Sequence, residues 1–148
     1  MTREEKAMEL FKAGYNCAQA VVAAFADVFG YDERTAVMLA EGLGGGMGRM
    51  RLTCGAVSGM AMLAGMRFSK GEAGDTTSRT KVYEVVRAMA NEFKEQNGSI
   101  ICGELLGVNL PKDKGAAPEA RTEQYYKKRP CVNCVGDCAR IAEKYLLG

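Results

Sequence analysis

The six cysteines of this 148-residue chain are the residues whose side chains and spacing point to chemical reactivity. Four of the six cysteines stand where a helix is expected to begin: Cys17 after Asn16, Cys54 after Thr53, Cys102 after Ser99 and Cys131 after Pro130. The partial positive charge at a helix N-terminus favours a thiolate, which is both a nucleophile and a metal ligand. We therefore expect these thiols to ionise more readily than free cysteine. Cys54 and Cys102 are the candidate catalytic thiols, and Cys54 is expected to alkylate fastest.

The C-terminal cysteines form a second pattern. Cys131, Cys134 and Cys138 lie at i, i+3 and i+7, on one face of a helix. With Cys17, Cys54 and Cys102 they make six candidate metal ligands. The same face would be core in any helical domain, because free cysteine packs as a small hydrophobe. The spacing also lacks the second Cys-x-x-Cys of a zinc ribbon and the fourth cysteine of a ferredoxin, so it does not identify a metal by itself.

The absence of histidine and of a haem-attachment motif excludes several kinds of active site. The chain has no histidine, which excludes Ser–His and Cys–His pairs as well as mixed Cys/His metal sites. It has no Cys-x-x-Cys-His, so no haem of that type is expected. Polar catalysis would have to use carboxylates, lysines or the thiols themselves, and whether the protein is an enzyme is left open.

A glycine run precedes the Cys54 helix. The amides of Gly44, Gly45 and Gly46, with Arg49 and Arg51 beside them, could form an anion-binding nest, which makes these glycines candidate cofactor-binding residues. No Gly-Lys-Ser/Thr ends the run, so it is not a phosphate loop. An anion or nucleotide is one interpretation. The alternative is that the glycines only let the chain pass close to a neighbouring helix.

Length, composition and charge predict the domain organisation of the chain and its cellular compartment. Residues 1–148 are expected to form one domain that buries roughly 70% of its unfolded surface. The net charge of +2 gives no argument for nucleic acid or a membrane surface. The N-terminus lacks the apolar run of a signal peptide, and the uncharged stretch Cys54–Met66 is too short to span a bilayer. The chain is therefore expected in the cytoplasm, where cysteines are usually reduced.

The elements that must position the cysteines are helices, since no segment alternates like a strand. We predict an all-α fold of seven or eight mostly short helices around two apolar ones, Cys17–Phe29 and Cys54–Met66. The other predicted helices are a first one that starts from the Thr2 capping box and ends by Gly14, then Glu33–Glu41, Thr76–Asn97, Ile100–Leu106, Pro118 to about Lys128, and Cys131–Leu147.

Taken together, these residues resemble the family of redox-active proteins named for a C…GCAxxG…C…C pattern. The most diagnostic piece is Cys54-Gly55-Ala56-Val57-Ser58-Gly59, preceded by GLGGGMG. Cys17 in YNCAQAV is similar to the first cysteine of the pattern, and Cys102 in CGELLG is similar to the one after the motif. The last is most like Cys131, although Cys134 and Cys138 are additional here. The resemblance covers about Gly14 to Leu146.

The resemblance implies a small helical domain of redox role, often fused to or encoded beside oxidoreductases or transporters. It also implies an iron–sulfur cluster as a candidate cofactor, because a related helical domain in a haem-containing cytochrome is thought to hold one. The first hypothesis is an electron-transfer or redox protein in which the cysteines either ligate a cluster or cycle between thiols and disulfide. The alternative is a zinc-bound or metal-free helical module that docks on an unidentified redox partner or on itself, as a homodimer.

Overall fold

The computed structural model describes residues 1–107 and 115–148, and for Lys128 the backbone alone. Over these ranges the chain is all-α, as predicted, with no strand and one isolated β-bridge. Its helices are α1 Arg3–Lys12, α2 Cys17–Ala23, α3 Ala26–Phe29, α4 Glu33–Ala40, α5 Gly55–Phe68, α6 Thr76–Asn97, α7 Cys102–Leu106, α8 Glu123–Lys128 and α9 Cys131–Leu147, with a 3₁₀ turn at Glu41–Leu43.

The described residues thus form nine helices rather than seven or eight, because the predicted apolar helix Cys17–Phe29 is broken. Phe25 has φ −117° and ψ 7°, which is not helical. Its amide donates to the carbonyl of Val22 at 3.2 Å, three residues back instead of four, and α3 begins at Ala26. α2 is buried, whereas only Ala26 of α3 is, and α3 ends at Gly30 in the left-handed conformation that glycine favours.

The predicted helix from Pro118 begins only at Glu123, where the Thr122 hydroxyl accepts a hydrogen bond from the Tyr125 amide. The segment before it is held by Arg121, whose guanidinium donates to the carbonyls of Phe11 and Tyr15 at 2.9 and 3.0 Å. That tertiary contact takes the place of a helical turn. Nothing in the local sequence indicates it, because both carbonyls lie more than 100 residues away.

The core is built mainly from α1, α2, α5, α6 and α9. α2 is buried almost all round and packs against α5, where Gly59 leaves room for Ala18. α9 packs against α1, α5 and α6, and it buries Val135, Ile141 and Leu146. Of the helices within 1–107 and 115–148, none is both long enough and apolar enough to cross a bilayer. This core fixes the directions in which the cysteine-bearing helix ends point.

Candidate functional site

Five of the six cysteines line a single cavity of about 280 Å³. Its wall brings together the starts of four helices, the glycine run and the segment that leads into α9. The sulfur-bearing residues of the wall are Cys17, Cys54, Cys102, Cys131 and Cys134. Cys138 is completely buried in the core and does not line the cavity.

The expected link between cysteines and helix starts is present in the structure. Cys17, Cys102 and Cys131 are the first residues of α2, α7 and α9. α2 begins with a full capping box between Asn16 and Gln19. Each sulfur is therefore delivered to the cavity from a different helix N-terminus, where the macrodipole favours negative charge.

At Cys54 the predicted boundary was wrong by one residue. Cys54 is itself the N-cap of α5, with φ −50° and ψ 129°, and Thr53 does not cap the helix. The reason is that Thr53 forms an antiparallel β-bridge with Ile101. Its backbone is therefore committed to pairing, and the helix starts from the next residue.

This bridge also places Cys54 beside Cys102. The Cys54 amide donates to the carbonyl of Ile100 at 2.7 Å, and the Cys102 amide donates to the carbonyl of Leu52 at 2.6 Å. Two cysteines that are far apart in sequence thus start their helices from one short antiparallel pairing. Their relative position is set by backbone hydrogen bonds, which are stiffer than side-chain packing.

The glycine run forms a left-handed loop. Residues 45–49 all have positive φ, as does Arg51, and three of these six residues are not glycine: Met47, Arg49 and Arg51, at 67°, 62° and 61°. Amides in the loop donate to carbonyls six residues earlier, as from Leu52 to Gly46 at 2.9 Å. Left-handed backbone costs a non-glycine residue about 1–2 kcal/mol. Such strain persists only where the surrounding structure holds it, which is common at functional sites.

The three candidate cofactor-binding glycines lie close to residues of the cavity. A Cβ added to Gly44 would lie 2.4 Å from the Asn16 side chain, and one added to Gly46 would lie 2.7 Å from the Cβ of Cys102. The Gly45 amide donates a hydrogen bond to the Cys17 sulfur. Close approach therefore explains two of the glycines, and the Gly45 amide faces a thiol of the chain itself, that of Cys17. Binding of an external anion by this run stays a prediction.

Burial and thiol–thiol interactions raise the pKa values of Cys17, Cys54 and Cys131. The pKa of Cys17 is raised to about 11 and that of Cys131 to about 12, first by burial and then by neighbouring thiols. The pKa of Cys54 is raised well above its usual value, first by a hydrogen bond with the Cys134 thiol and then by burial. The expectation that Cys54 ionises easily is therefore wrong for the free thiol. The charge of one helix end does not offset desolvation and like-charge repulsion in a shared cavity.

Cationic side chains line the same cavity, and only Arg49 and Arg51 among them stand beside the glycine run in sequence. The Arg51 guanidinium lies 3.8 Å from the Cys102 sulfur. It opposes the rise that burial imposes on the Cys102 pKa. The arginines of the wall are Arg49, Arg51, Arg121 and Arg129, against two carboxylates, Glu41 and Glu119. Arg129 precedes Pro130 and Cys131 in sequence, which is a local signal for its place here; no such signal exists for Arg121.

The free-thiol structure does not assemble a site for a single metal ion. All six cysteines are unpaired, and no group of three or more Cys, Asp or Glu residues in the described ranges is arranged to hold one ion. The thiols are distributed over the walls of the cavity instead of around one point. Five thiols thus lie around one cavity, but the described residues do not arrange them as a tetrahedron around one ion.

Comparison with the models of known protein families matches residues 15–145 to the family described as "Putative redox-active protein (C_GCAxxG_C_C)". The match spans all six cysteines, the glycine run and eight of the nine described helices. Searches of curated proteins and of solved structures give no match.

Proposed function

The chain belongs to the C_GCAxxG_C_C family of redox-active proteins, and from this premise we propose that it is an electron-transfer protein whose redox centre is an iron–sulfur cluster bound in the cysteine cavity. The observation that carries the proposal is the cavity of about 280 Å³ lined by five of the six cysteines. Cys17, Cys54 and Cys102 would be ligands, and the fourth would come from Cys131 or Cys134. A protein that needed its thiols only for packing would close such a space.

The donor set fits the chemistry of a cluster better than that of a single zinc ion. Tetrahedral thiolate zinc, with bonds of about 2.3 Å, requires four sulfurs roughly 3.8 Å apart. The described residues contain no such group. Iron–sulfur clusters are also held by four cysteine thiolates, but these bind different iron atoms and so stand further apart. Five thiols line the cavity, so four of them would be available to ligate such a cluster.

The ionisable side chains that line the cavity also support the iron–sulfur proposal. Buried thiols raise one another's pKa, as Cys17, Cys54 and Cys131 do here, and the positive charge of Arg129 offsets only part of this rise at Cys131. Iron would supply further positive charge and displace the thiol protons, since metal binding releases protons from its ligands. The four arginines of the wall would then balance the net negative charge of a thiolate-ligated cluster.

A bound cluster would supply a one-electron carrier, and the chain's own residues would provide the rest. The helix N-termini orient the thiolates, and the Gly45 amide donates to the Cys17 sulfur. Hydrogen bonds to ligand sulfurs tune the potential of such centres. The core side of the cavity, including Cys134 at 3% exposure, excludes water. Electrons would come from and go to a partner redox protein, for which an oxidoreductase or a transporter component is the candidate.

Anaerobic purification followed by iron, acid-labile sulfide and zinc analysis tests the proposal. We expect visible absorption that bleaches on reduction, with iron and sulfide in equal amounts. Cys54→Ser and Cys102→Ser should each lose most of the iron, whereas Cys138→Ala, the matched core variant, should keep it. A colourless protein with one redox-inert zinc per chain would instead establish the zinc-bound interaction module. An iron-free, zinc-free protein would also rule out the cluster.

A second candidate, a thiol/disulfide couple, is favoured by the hydrogen bond between the Cys54 and Cys134 thiols. In that reaction both thiols lose their protons, an S–S bond forms between them, and the two electrons reduce an external disulfide to two thiols. Treatment of metal-free protein with diamide and then dithiothreitol should produce and remove a Cys54–Cys134 crosslink, found by peptide mass mapping. Its absence, with all six thiols still free, would eliminate this couple.

A further inference from the structure

Arg49 and Arg129 meet at one oxygen of Glu119 on the wall of the cysteine cavity. Nη2 of Arg49 lies 3.7 Å from Oε1 of Glu119, and Nη2 of Arg129 donates a hydrogen bond to the same oxygen. The side chains of Arg49 and Arg129 are only 14% and 7% exposed, whereas that of Glu119 is 47% exposed. One carboxylate that water can reach is thus shared by two guanidiniums that water hardly reaches.

Contacts other than the ion pairs hold both guanidiniums in place. Nη1 of Arg49 donates to the carbonyls of Gly115 and Ala117. The guanidinium of Arg129 lies over the Tyr125 ring, with Cζ 4.6 Å from the centroid. Stacking of this kind attracts the cation to the ring and fixes the plane of its donors. Since these contacts involve no carboxylate, they would hold the two guanidiniums in position if the carboxylate were exchanged for another.

Glu119 is the component of this ion pair that can be exchanged. It lies outside the helices, in a segment whose residues 115–120 are all exposed. Rotation about its side-chain bonds would carry the carboxylate into water without disturbing a helix. That movement by itself is unfavourable, because it leaves two largely buried cations without this counter-charge. It becomes feasible when an anion from solution takes the same position.

We propose that Arg49 and Arg129 form a binding site for a small organic carboxylate, and that Glu119 fills this site while no ligand is bound. Guanidiniums bind a carboxylate through charge-assisted hydrogen bonds. The body of the ligand would take up part of the adjoining cavity of about 280 Å³, whose wall includes Leu105 and Leu106. Pockets for drug-sized molecules measure about 300–1,000 Å³, so this space admits an acid of only a few carbon atoms. The site consists of the chain's own side chains and does not depend on a cluster.

Chemical rescue of Glu119→Ala tests whether the site accepts a free carboxylate. The substitution removes a CH₂–COO⁻ group, which acetate replaces closely. In reduced, metal-free protein we expect the variant to have a lower midpoint of thermal unfolding than wild type in sodium chloride. Sodium acetate at the same ionic strength should raise that midpoint. At about ten times its dissociation constant, acetate should raise it by about 3–6 °C.

Two variants separate the site from general effects of salt. Asp27→Ala is the matched control, because Oδ1 of Asp27 is likewise shared by two cations, Arg3 at 2.6 Å and Lys6 at 3.5 Å, but lies outside the cavity. Acetate should have no advantage over chloride in this variant. Glu119→Ala combined with Arg129→Gln lacks one of the two proposed guanidinium donors, so the advantage of acetate should largely disappear.

In the wild-type protein the ligand has to displace Glu119, and a protection assay measures this exchange. The neutral reagent iodoacetamide alkylates Cys102 in the cavity, and mass spectrometry of its tryptic peptide follows the rate. Propionate should slow this alkylation to a saturating limit, whereas neutral propionamide should not. In Glu119→Ala the propionate concentration that gives half of the effect should be about fivefold lower or more, because no carboxylate of the chain competes.

An equal midpoint of Glu119→Ala in acetate and in chloride, or a rescue of equal size in Asp27→Ala, would overturn the inference. Equal effects of propionate and propionamide on Cys102 of the wild-type protein would overturn it as well. Because every measurement uses metal-free protein, the lack of a cluster after anaerobic purification would contradict the proposed function and leave this result unaffected.

Discussion

Gly55 lies directly against Cys17, so that a Cβ built on Gly55 would stand 2.5 Å from the Cys17 sulfur and 2.9 Å from the carbonyl oxygen of Leu43. The glycine that follows Cys54 in the family motif therefore makes room for the sulfur of another helix. The two adjacent residues of the motif thus serve the same cavity. Cys54 contributes a thiol to it, and Gly55 leaves the space that the Cys17 thiol occupies.

Gly55→Ala should destabilise the protein by about 1–3 kcal/mol, the usual cost of overpacking, because a backbone oxygen and a sulfur must both move. Gly65→Ala is the matched control in the same helix. No atom lies within 4 Å of its added Cβ, so it should stabilise by about 0.5–1 kcal/mol through helix propensity. Urea denaturation checks both values. Equal effects from the two substitutions would contradict the close packing of Gly55 on Cys17.

Gly46→Ala should be the most damaging alanine substitution in the glycine loop. Its Cβ would meet the Leu52 amide nitrogen at 2.6 Å and the Cys102 Cβ at 2.7 Å, and its φ is +72°. Overpacking and left-handed strain together predict a loss of about 2–5 kcal/mol. Gly48→Ala, at φ +58° with nothing within 4 Å, should lose only the strain of about 1–2 kcal/mol. Thermal unfolding of the pair separates the two contributions.

Asn16→Ala should cost about 1–2 kcal/mol, towards the upper end for an N-cap. Its side chain caps α2, donates to the Glu41 carbonyl at 2.9 Å and packs on Gly44, so it joins the helix to the glycine run. Asp32→Ala removes an exposed cap of α4 and should cost less, about 0.5–1 kcal/mol. In cluster-loaded protein Asn16→Ala should also lower iron content, whereas Asp32→Ala should not. Equal stability losses would mean that Asn16 acts only as a cap.

The reduced, metal-free protein should lose stability at alkaline pH. The folded pKa is about 11 for Cys17 and about 12 for Cys131, above the value near 9 of an unfolded thiol. As the pH rises through 9 the unfolded state releases these protons first. Stability that is fully present below pH 9 is therefore lost towards pH 11 and 12, at up to about 1.4 kcal/mol per pH unit for each group.

Anaerobic urea titrations between pH 7 and 10.5 measure this slope. The double variant Cys17→Ala, Cys131→Ala is the control, because it should show a shallower decline with pH whatever its absolute stability. A slope that is the same in both proteins would mean that the two thiols are not buried together as described.

The sequence was most informative where structure depends on neighbouring residues. α6 runs over Thr76–Asn97 and α9 over Cys131–Leu147, as predicted, because helical periodicity and capping residues such as Gly98 are local signals. The start of α2 at Cys17 follows from the same kind of signal, the Asn16 cap. The predicted helix Ile100–Leu106 begins instead at Cys102, and Ser99 does not cap it. These features gave the all-α fold and the meeting of cysteines in one cavity.

Where the structure differs from the sequence-based predictions, contacts between residues far apart in sequence are involved. The late start of α8 at Glu123 accompanies the hydrogen bonds of Arg121 to Phe11 and Tyr15, which form only on folding. The reversed direction of the Cys54 pKa shift has the same origin, because the helix start is visible in sequence and its desolvation is not. The contact of the Arg51 guanidinium with the Cys102 sulfur is likewise long-range, and no sequence pattern indicates the positive φ of Arg51.

The β-bridge between Thr53 and Ile101 has a consequence for the dynamics of the molecule. Because the amides of Cys54 and Cys102 are both bonded across it, these two should be among the slowest non-helical amides to exchange with deuterium. The starts of α5 and α7 would then open as one cooperative unit, so that exposing either cysteine to solvent exposes the other.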